Sequence, residues 1–195
     1  MQAGVGNIVV GVLALQGDVI EHINHIRKVD HIPYEVKTNE DLEHIDALIL
    51  PGGESTTIGR LLRITGLGPI IREKIQNGLP VWGTCAGMIL LAKDIEDEEF
   101  THLGVMDIKV KRNAYGTQLD SFNIKQVEEK ISINPIDMPF IRAPYIIDFG
   151  TEVEPLIYVD GNLVAARQKN ILVTSFHPEL TDNTVMLEYF LTKFQ

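Results

Sequence analysis

The chain has 195 residues, 45% hydrophobic and 23% charged, enough to bury a substantial core and within the usual range for a single domain over residues 1–195. A formal net charge of -10 disfavours nonspecific binding to nucleic acid or to an anionic membrane, since both need a positive surface. The single cysteine excludes an internal disulfide and points to a reducing, cytoplasmic setting; the early apolar run 8–15 is far short of the ~20 residues that cross a bilayer and follows no basic segment of the signal-peptide kind.

The run 7–15 is continuously apolar and β-branched, as in a strand buried on both faces of a parallel sheet. Asp18 is a candidate N-cap for a helix in which Val19, Ile20, Ile23, Ile26 and Val29 recur at helical spacing. Residues 33–38 read as a second strand, 39–45 as a short helix and 47–50 as a third strand. Helix follows over 58–76, interrupted near Gly66 to Pro69; the strand that opens at Pro80 then leads to a turn, and 86–93 reads as the next helix. Strands alternating with helices at this pitch imply βαβ units, hence a three-layer αβα architecture around a largely parallel, flavodoxin-like sheet.

From about Leu103 the texture changes to short alternating or β-branched runs, at 106–111, 122–127, 141–149, 156–159, 163–167 and 171–176. These predict a mostly antiparallel extension of the sheet. The chain closes on an amphipathic helix over 182–194, with Val185, Met186, Tyr189, Phe190 and Phe194 on one side. No repeat, low-complexity tract or linker marks a second domain.

The chemistry gathers at three strand ends. Gly83-Thr84-Cys85-Ala86-Gly87 fits a sharp strand-to-helix turn in which flanking glycines keep side chains clear and the middle residue is forced outward. A lone cysteine beside Ala, Met and Leu is most often a small buried hydrophobe. A packed helix start, however, needs no glycine on each side, so Cys85 is the candidate nucleophile. Ser175-Phe176-His177-Pro178-Glu179 follows another apolar strand, where His177 can take the thiol proton and return it to a leaving amine while Glu179 orients the imidazolium. Leu50-Pro51-Gly52-Gly53-Glu54-Ser55 follows a third, and its adjacent glycines can turn the Gly53 N–H toward an anionic oxygen, with the Ala86 N–H supplying the rest of an oxyanion hole.

Neither the Walker spacing nor its Lys-Ser/Thr is present, so a phosphate loop is disfavoured. His22 and His25 are helical neighbours and His31 and His44 lie in polar stretches, which predicts solvated or capping roles and no metal or other cofactor.

The cysteine turn with His177-x-Glu179 resembles the class I, triad-type glutamine amidotransferases. Within that superfamily, 15–18 (Leu-Gln-Gly-Asp), 51–57 (Pro-Gly-Gly-Glu-Ser-Thr-Thr), 112–116 (Arg-Asn-Ala-Tyr-Gly), 120–122 (Asp-Ser-Phe), 141–144 (Ile-Arg-Ala-Pro) and 175–180 resemble the glutaminase subunits of pyridoxal 5'-phosphate synthase. The resemblance implies a triad of Cys85, His177 and Glu179 and a site for L-glutamine lined by Gly53, Glu54, Ser55, Arg112, Ile141 and Arg142. It also implies a hetero-oligomer with a synthase subunit that receives the ammonia, the glutaminase staying nearly idle until docked. One departure from the family pattern is Thr117, where an arginine is usual. A glutaminase subunit of another amidotransferase shares the triad chemistry, as does a cysteine peptidase on the same fold; a noncatalytic binding protein is the remaining alternative.

Overall fold

A computed structural model describes residues 6–112 and 121–194. The Asn113 to Gly116 part of one motif, Thr117 and Asp120 lie outside the described residues.

The first half builds β1 (Val9–Leu13), α1 (Val19–Arg27), β2 (Ile32–Val36), β3 (Ala47–Leu50), α2 (Ser55–Thr65), α3 (Leu67–Gln76), β4 (Val81–Thr84) and α4 (Ala86–Leu91). The second half adds β5 (Ala92–Ile95), β6 (Met106–Lys111), β7 (Ser121–Glu128), β8 (Ser132–Ile141), β9 (Tyr145–Phe149), β10 (Glu154–Val159), β11 (Asn162–Gln168), β12 (Ile171–Thr174) and α5 (Val185–Lys193). The main sheet runs β2-β1-β3-β4-β12-β11-β9-β6-β5, with β10 paired to β11. Its first five strands are parallel. Strands β11, β10 and β9 make the expected antiparallel extension.

The buried parallel strands alternate between two cores. Leu48 and Leu50, Val81, and Ile171 and Val173 face the core under α2, α3 and α4. Ala47 and Ile49, Trp82 and Leu172 face the opposite core, where α1 and α5 contribute Ile23, Ile26, Met186 and Phe190. This period-2 alternation places helices on both faces and gives the three layers.

Four expectations are corrected. The helix over 86–93 stops at Leu91, because Ala92 turns extended and starts β5, a parallel partner of β6. The strand expected over 141–149 is two elements, broken at Arg142, which has φ 45°. Strand β8, ten residues long, was not anticipated; it carries Pro135 and Pro139 and pairs with β7 as a separate two-stranded ribbon, where an edge tolerates proline. The short helix over 39–45 is a 3-10 turn, Glu40–Glu43. Among the described residues, no helix is long and apolar enough to cross a membrane.

Candidate active site

In the parallel half the strand order reverses between β1 and β3, and the loops leaving β1, β3, β4 and β12 emerge at one edge of the sheet. A crevice at the carboxyl ends of strands beside such a switch point is where open α/β sheets bind ligands. The segments 14–18, 51–54, 85 and 175–179 are these loops.

Cys85 sits between β4 and α4 with φ 47° and ψ -101°, a strained turn for a residue with a side chain. The turn is pinned by the Cys85 N–H, which donates to the Thr174 carbonyl at 2.8 Å. The glycine after it is required by close approach: a Cβ on Gly87 would lie 2.1 Å from the Leu50 carbonyl oxygen. α4 is thus pressed against the end of β3, and the thiol is 8% exposed. Its Sγ lies 3.9 Å from the Ile141 carbonyl oxygen, so the end of β8 reaches the same place.

His177 and Glu179 are buried, their ring Nδ1 and carboxylate Oε1 atoms 2.8 Å apart. A second carboxylate approaches the same nitrogen, Asp18 Oδ2 at 3.4 Å. Burial pushes the His177 imidazole down, but side-chain hydrogen bonds with Asp18, Cys85 and Glu179 outweigh it and raise it to about 12. The Glu179 carboxyl is pushed up by burial, yet His22 and His177 together hold it below the usual carboxylate range. The hydrogen bond with His177 likewise holds Asp18 low. Asp18, His177 and Glu179 offer three ligand-type atoms within 4.8 Å of one another. The imidazole between the carboxylates already engages both, which makes the trio a hydrogen-bonded relay.

The Gly52-Gly53 loop meets this relay directly. A Cβ on Gly52 would lie 2.4 Å from Cε1 of His177 and 2.6 Å from Oδ2 of Asp18. The Asp18 N–H donates to the Gly52 carbonyl at 3.1 Å and the Glu54 N–H to Gln16 Oε1 at 3.0 Å, so the loop after β1 holds the loop after β3. Glu54 is exposed and Ser55, the first residue of α2, is buried. The N–H of Ala86 belongs to the first turn of α4, which has no intrahelical acceptor.

The sequence-derived residues are brought together unevenly. Cys85, His177, Glu179, Ile141 and the Gly52-Gly53 loop converge. Arg112 follows β6 and its guanidinium is engaged by Glu98, while Arg142 is exposed after β8.

Three residues of the α1 segment carry roles the sequence reading did not give. Asp18 holds the expected N-cap position of α1, but its side chain makes no capping bond and faces His177 instead. His22 and His25 are each 1% exposed, against the expectation of solvated or capping roles. Burial pushes His25 down to about 4, so it is a neutral core residue. His22 Nε2 lies 3.0 Å from Thr84 Oγ1 and 3.6 Å from Glu179 Oε1. A signal was available: His22 falls in the helical stripe with Ile23 and Ile26 and four residues after Asp18, on a helix that starts at a strand end. A buried, strained thiol in contact with an imidazolium, backed by carboxylate, can attack an acyl carbon and pass a proton to its leaving group.

Three comparisons bear on this geometry. Residues 12–195 match the model of the SNO glutamine amidotransferase family. The chain is 60% identical over 182 residues to pyridoxal 5'-phosphate synthase subunit PdxT of Clostridium beijerinckii, covering 93% of this chain and 96% of that one. Against the protein of the same name from Fervidobacterium nodosum the identity is 53% over 184 residues, covering 94% and 96%. A crystal structure of a glutamine amidotransferase superposes with a TM-score of 0.89 at 43% identity, covering 94% of this chain and 97% of that one. PurLQS from Thermotoga maritima, at 14% identity and a TM-score of 0.76, shares the fold over 97% of this chain and 100% of that one.

Proposed function

The chain belongs to the SNO glutamine amidotransferase family, and from that membership we propose that it hydrolyses L-glutamine to L-glutamate and ammonia as the glutaminase subunit of a pyridoxal 5'-phosphate synthase. The Cys85 sulfur attacks the side-chain carboxamide carbon, and the carbonyl oxygen becomes an oxyanion held by the N–H groups of Gly53 and Ala86. The imidazolium of His177 gives its proton to the departing nitrogen, ammonia leaves, and a γ-glutamyl thioester remains on Cys85. His177, now neutral, takes a proton from water as that water attacks the thioester; the thiolate leaves and glutamate is released. Glu179 keeps the imidazole aimed and balances its charge throughout.

The observation that carries this reading is the buried Nδ1 to Oε1 contact of 2.8 Å between His177 and Glu179, at the end of the strand that lies beside the one leading to Cys85. The glutamine site comprises Gly53, Glu54, Ser55, Arg112, Ile141 and Arg142, with Arg112 or Arg142 pairing with the α-carboxylate. The ammonia passes to a synthase subunit in a hetero-oligomer, in the reducing cytoplasm that suits a working thiol. Docking is expected to set the Gly52-Gly53 loop, now tied to Asp18 and Gln16, for catalysis.

The test is a glutaminase assay of the chain with and without a synthase subunit, the mixture being sized in solution. Low activity alone and a marked gain in a hetero-oligomer are expected. Equal activity with and without the partner would refute the docking requirement, and peptide hydrolysis without glutaminase activity would refute the substrate.

A further inference from the structure

We propose that His22 is a positioning residue for the acid of the triad, its Nε2–H dipole, anchored on Thr84 and facing Glu179, favouring the carboxylate anion against His177. The inference rests on the triad reading of Cys85, His177 and Glu179, and it concerns a residue of α1 that touches neither the thiol nor the oxyanion loop.

The geometry is closed on every side. His22 is 1% exposed, and its ring meets Trp82 edge-on, with centroids 6.2 Å apart. Nε2 faces two oxygens, Thr84 Oγ1 at 3.0 Å and Glu179 Oε1 at 3.6 Å, while Nδ1 has no hydrogen-bond partner among the described residues. The charged or titratable groups around it are Glu179, His177, Asp18 and Glu21, with His25 one turn along the same helix. Burial pushes His22 down against the pull of Glu179, and the ring is neutral.

A neutral ring has two tautomers, and the surroundings choose between them. A proton on Nδ1 would leave a buried donor unpaired and aim the Nε2 lone pair at a carboxylate. A proton on Nε2 leaves only an acceptor unpaired and gives the N–H a hydrogen bond to Thr84 Oγ1, on the side of the ring that faces Glu179. The second arrangement satisfies more of the buried polar groups.

The consequence falls on Glu179, whose side chain is 0% exposed and whose Oε2 has no partner among the described residues. Oε1 therefore carries the anion, in hydrogen-bond contact with His177 at 2.8 Å and facing the N–H dipole of His22 at 3.6 Å, beyond hydrogen-bond reach. The pair can also exist as neutral imidazole and protonated carboxyl, with the same number of protons. The His22 N–H favours the ionic form and so keeps the proton on Nδ1 of His177, where the proposed mechanism needs it.

The experiment uses the chain assembled with its synthase partner and, separately, the chain alone. In the assembly, His22→Leu should lower kcat for glutamine hydrolysis by roughly 10- to 100-fold with KM nearly unchanged, and His22→Gln, whose amide N–H reaches the Nε2 position, should recover most of it. Infrared spectra of the chain alone should show the carbonyl stretch of a protonated carboxylic acid in His22→Leu, absent in the unmodified chain and absent again when Glu179→Gln is added. If His22→Leu does not fold, His22→Asn against His22→Gln gives the same contrast, since the shorter amide does not reach. Thr84→Val should leave kcat nearly intact. A Thr84→Val variant as impaired as His22→Leu, or a fully active His22→Leu without the new band, would overturn the proposal. Failure of the glutaminase reading appears differently, as absence of glutamine turnover in the unmodified assembly, and the infrared result still judges His22.

Discussion

Asp18 holds its Oδ2 atom 3.4 Å from Nδ1 of His177, a second carboxylate on a ring nitrogen that Glu179 already meets at 2.8 Å. The same residue donates its N–H to the Gly52 carbonyl at 3.1 Å, so one position after β1 touches both the base and the loop proposed to bind the oxyanion.

The first prediction concerns stability and pH. The His177 imidazole stands at about 12 in the fold against an ordinary 6.5. Between those values the folded chain holds a proton there that the unfolded chain has lost. The stabilisation is therefore complete below 6.5 and drains away as pH rises toward about 12. Asp18→Asn removes one of the hydrogen bonds that raise the imidazole and should shrink this contribution. The urea midpoint of the variant should lie below that of the unmodified chain at about pH 7, and the gap should close only as pH climbs through the variant's lowered imidazole value toward about 12. A variant as stable as the unmodified chain at about pH 7 would show that Asp18 does not tune His177.

The second concerns the contact between the two loops. Gly17 has φ 106°, and a Cβ there would lie 1.9 Å from the Gly52 carbonyl oxygen. Gly17→Ala is strained in itself and must push the Gly52-Gly53 loop away, at a cost of about 1–3 kcal/mol. A lower urea midpoint at unchanged slope is expected, together with a loss of kcat in the assembled enzyme at temperatures where the variant is fully folded. Full activity in the folded variant would mean that the loop need not sit where Asp18 holds it.

What the sequence made legible follows from how local each signal is. The runs at 47–50 and 106–111 match β3 and β6 because a buried strand needs only its own apolar or alternating residues to be read. The sharp turn at Cys85 was legible because glycines on both sides report a close approach, here that of Gly87 to the Leu50 carbonyl. The neighbour of His22 was not, because only β12 lying beside β4 brings Glu179 beneath a helix more than a hundred residues earlier. Asp18 holds the N-cap position that an acid before a helix suggests, but only the strand order supplies His177 as the partner of its side chain. Strand β8 carries two prolines, which a separate ribbon tolerates and a central strand would not.

The third prediction separates two roles for Arg112. Its guanidinium is engaged by Glu98, whose other oxygen is buried without a partner among the described residues. If Arg112 also receives the α-carboxylate of glutamine, Arg112→Ala should raise KM by roughly 10- to 100-fold, the loss of a charge-assisted pair, with a much smaller change in kcat. An unchanged KM with a lowered urea midpoint would assign Arg112 to Glu98 alone.

The fourth tests the nucleophile without disturbing the partner. Cys85 is 8% exposed, and Ala in its place keeps the main chain and leaves only the sulfur's small volume unfilled. Without that sulfur no γ-glutamyl thioester can form, so glutamine hydrolysis by the assembled enzyme should fall by at least roughly 10⁴-fold. The synthase reaction should persist when ammonium salts are added, because ammonia then reaches the synthase subunit without the glutaminase. Mass spectrometry of the unmodified chain quenched during turnover should find a γ-glutamyl mass increment on the peptide containing Cys85, and none in Cys85→Ala. A variant that still hydrolysed glutamine at the original rate would remove Cys85 from the mechanism. Loss of both the glutamine-driven and the ammonium-driven reaction would instead show that the substitution had broken the assembly.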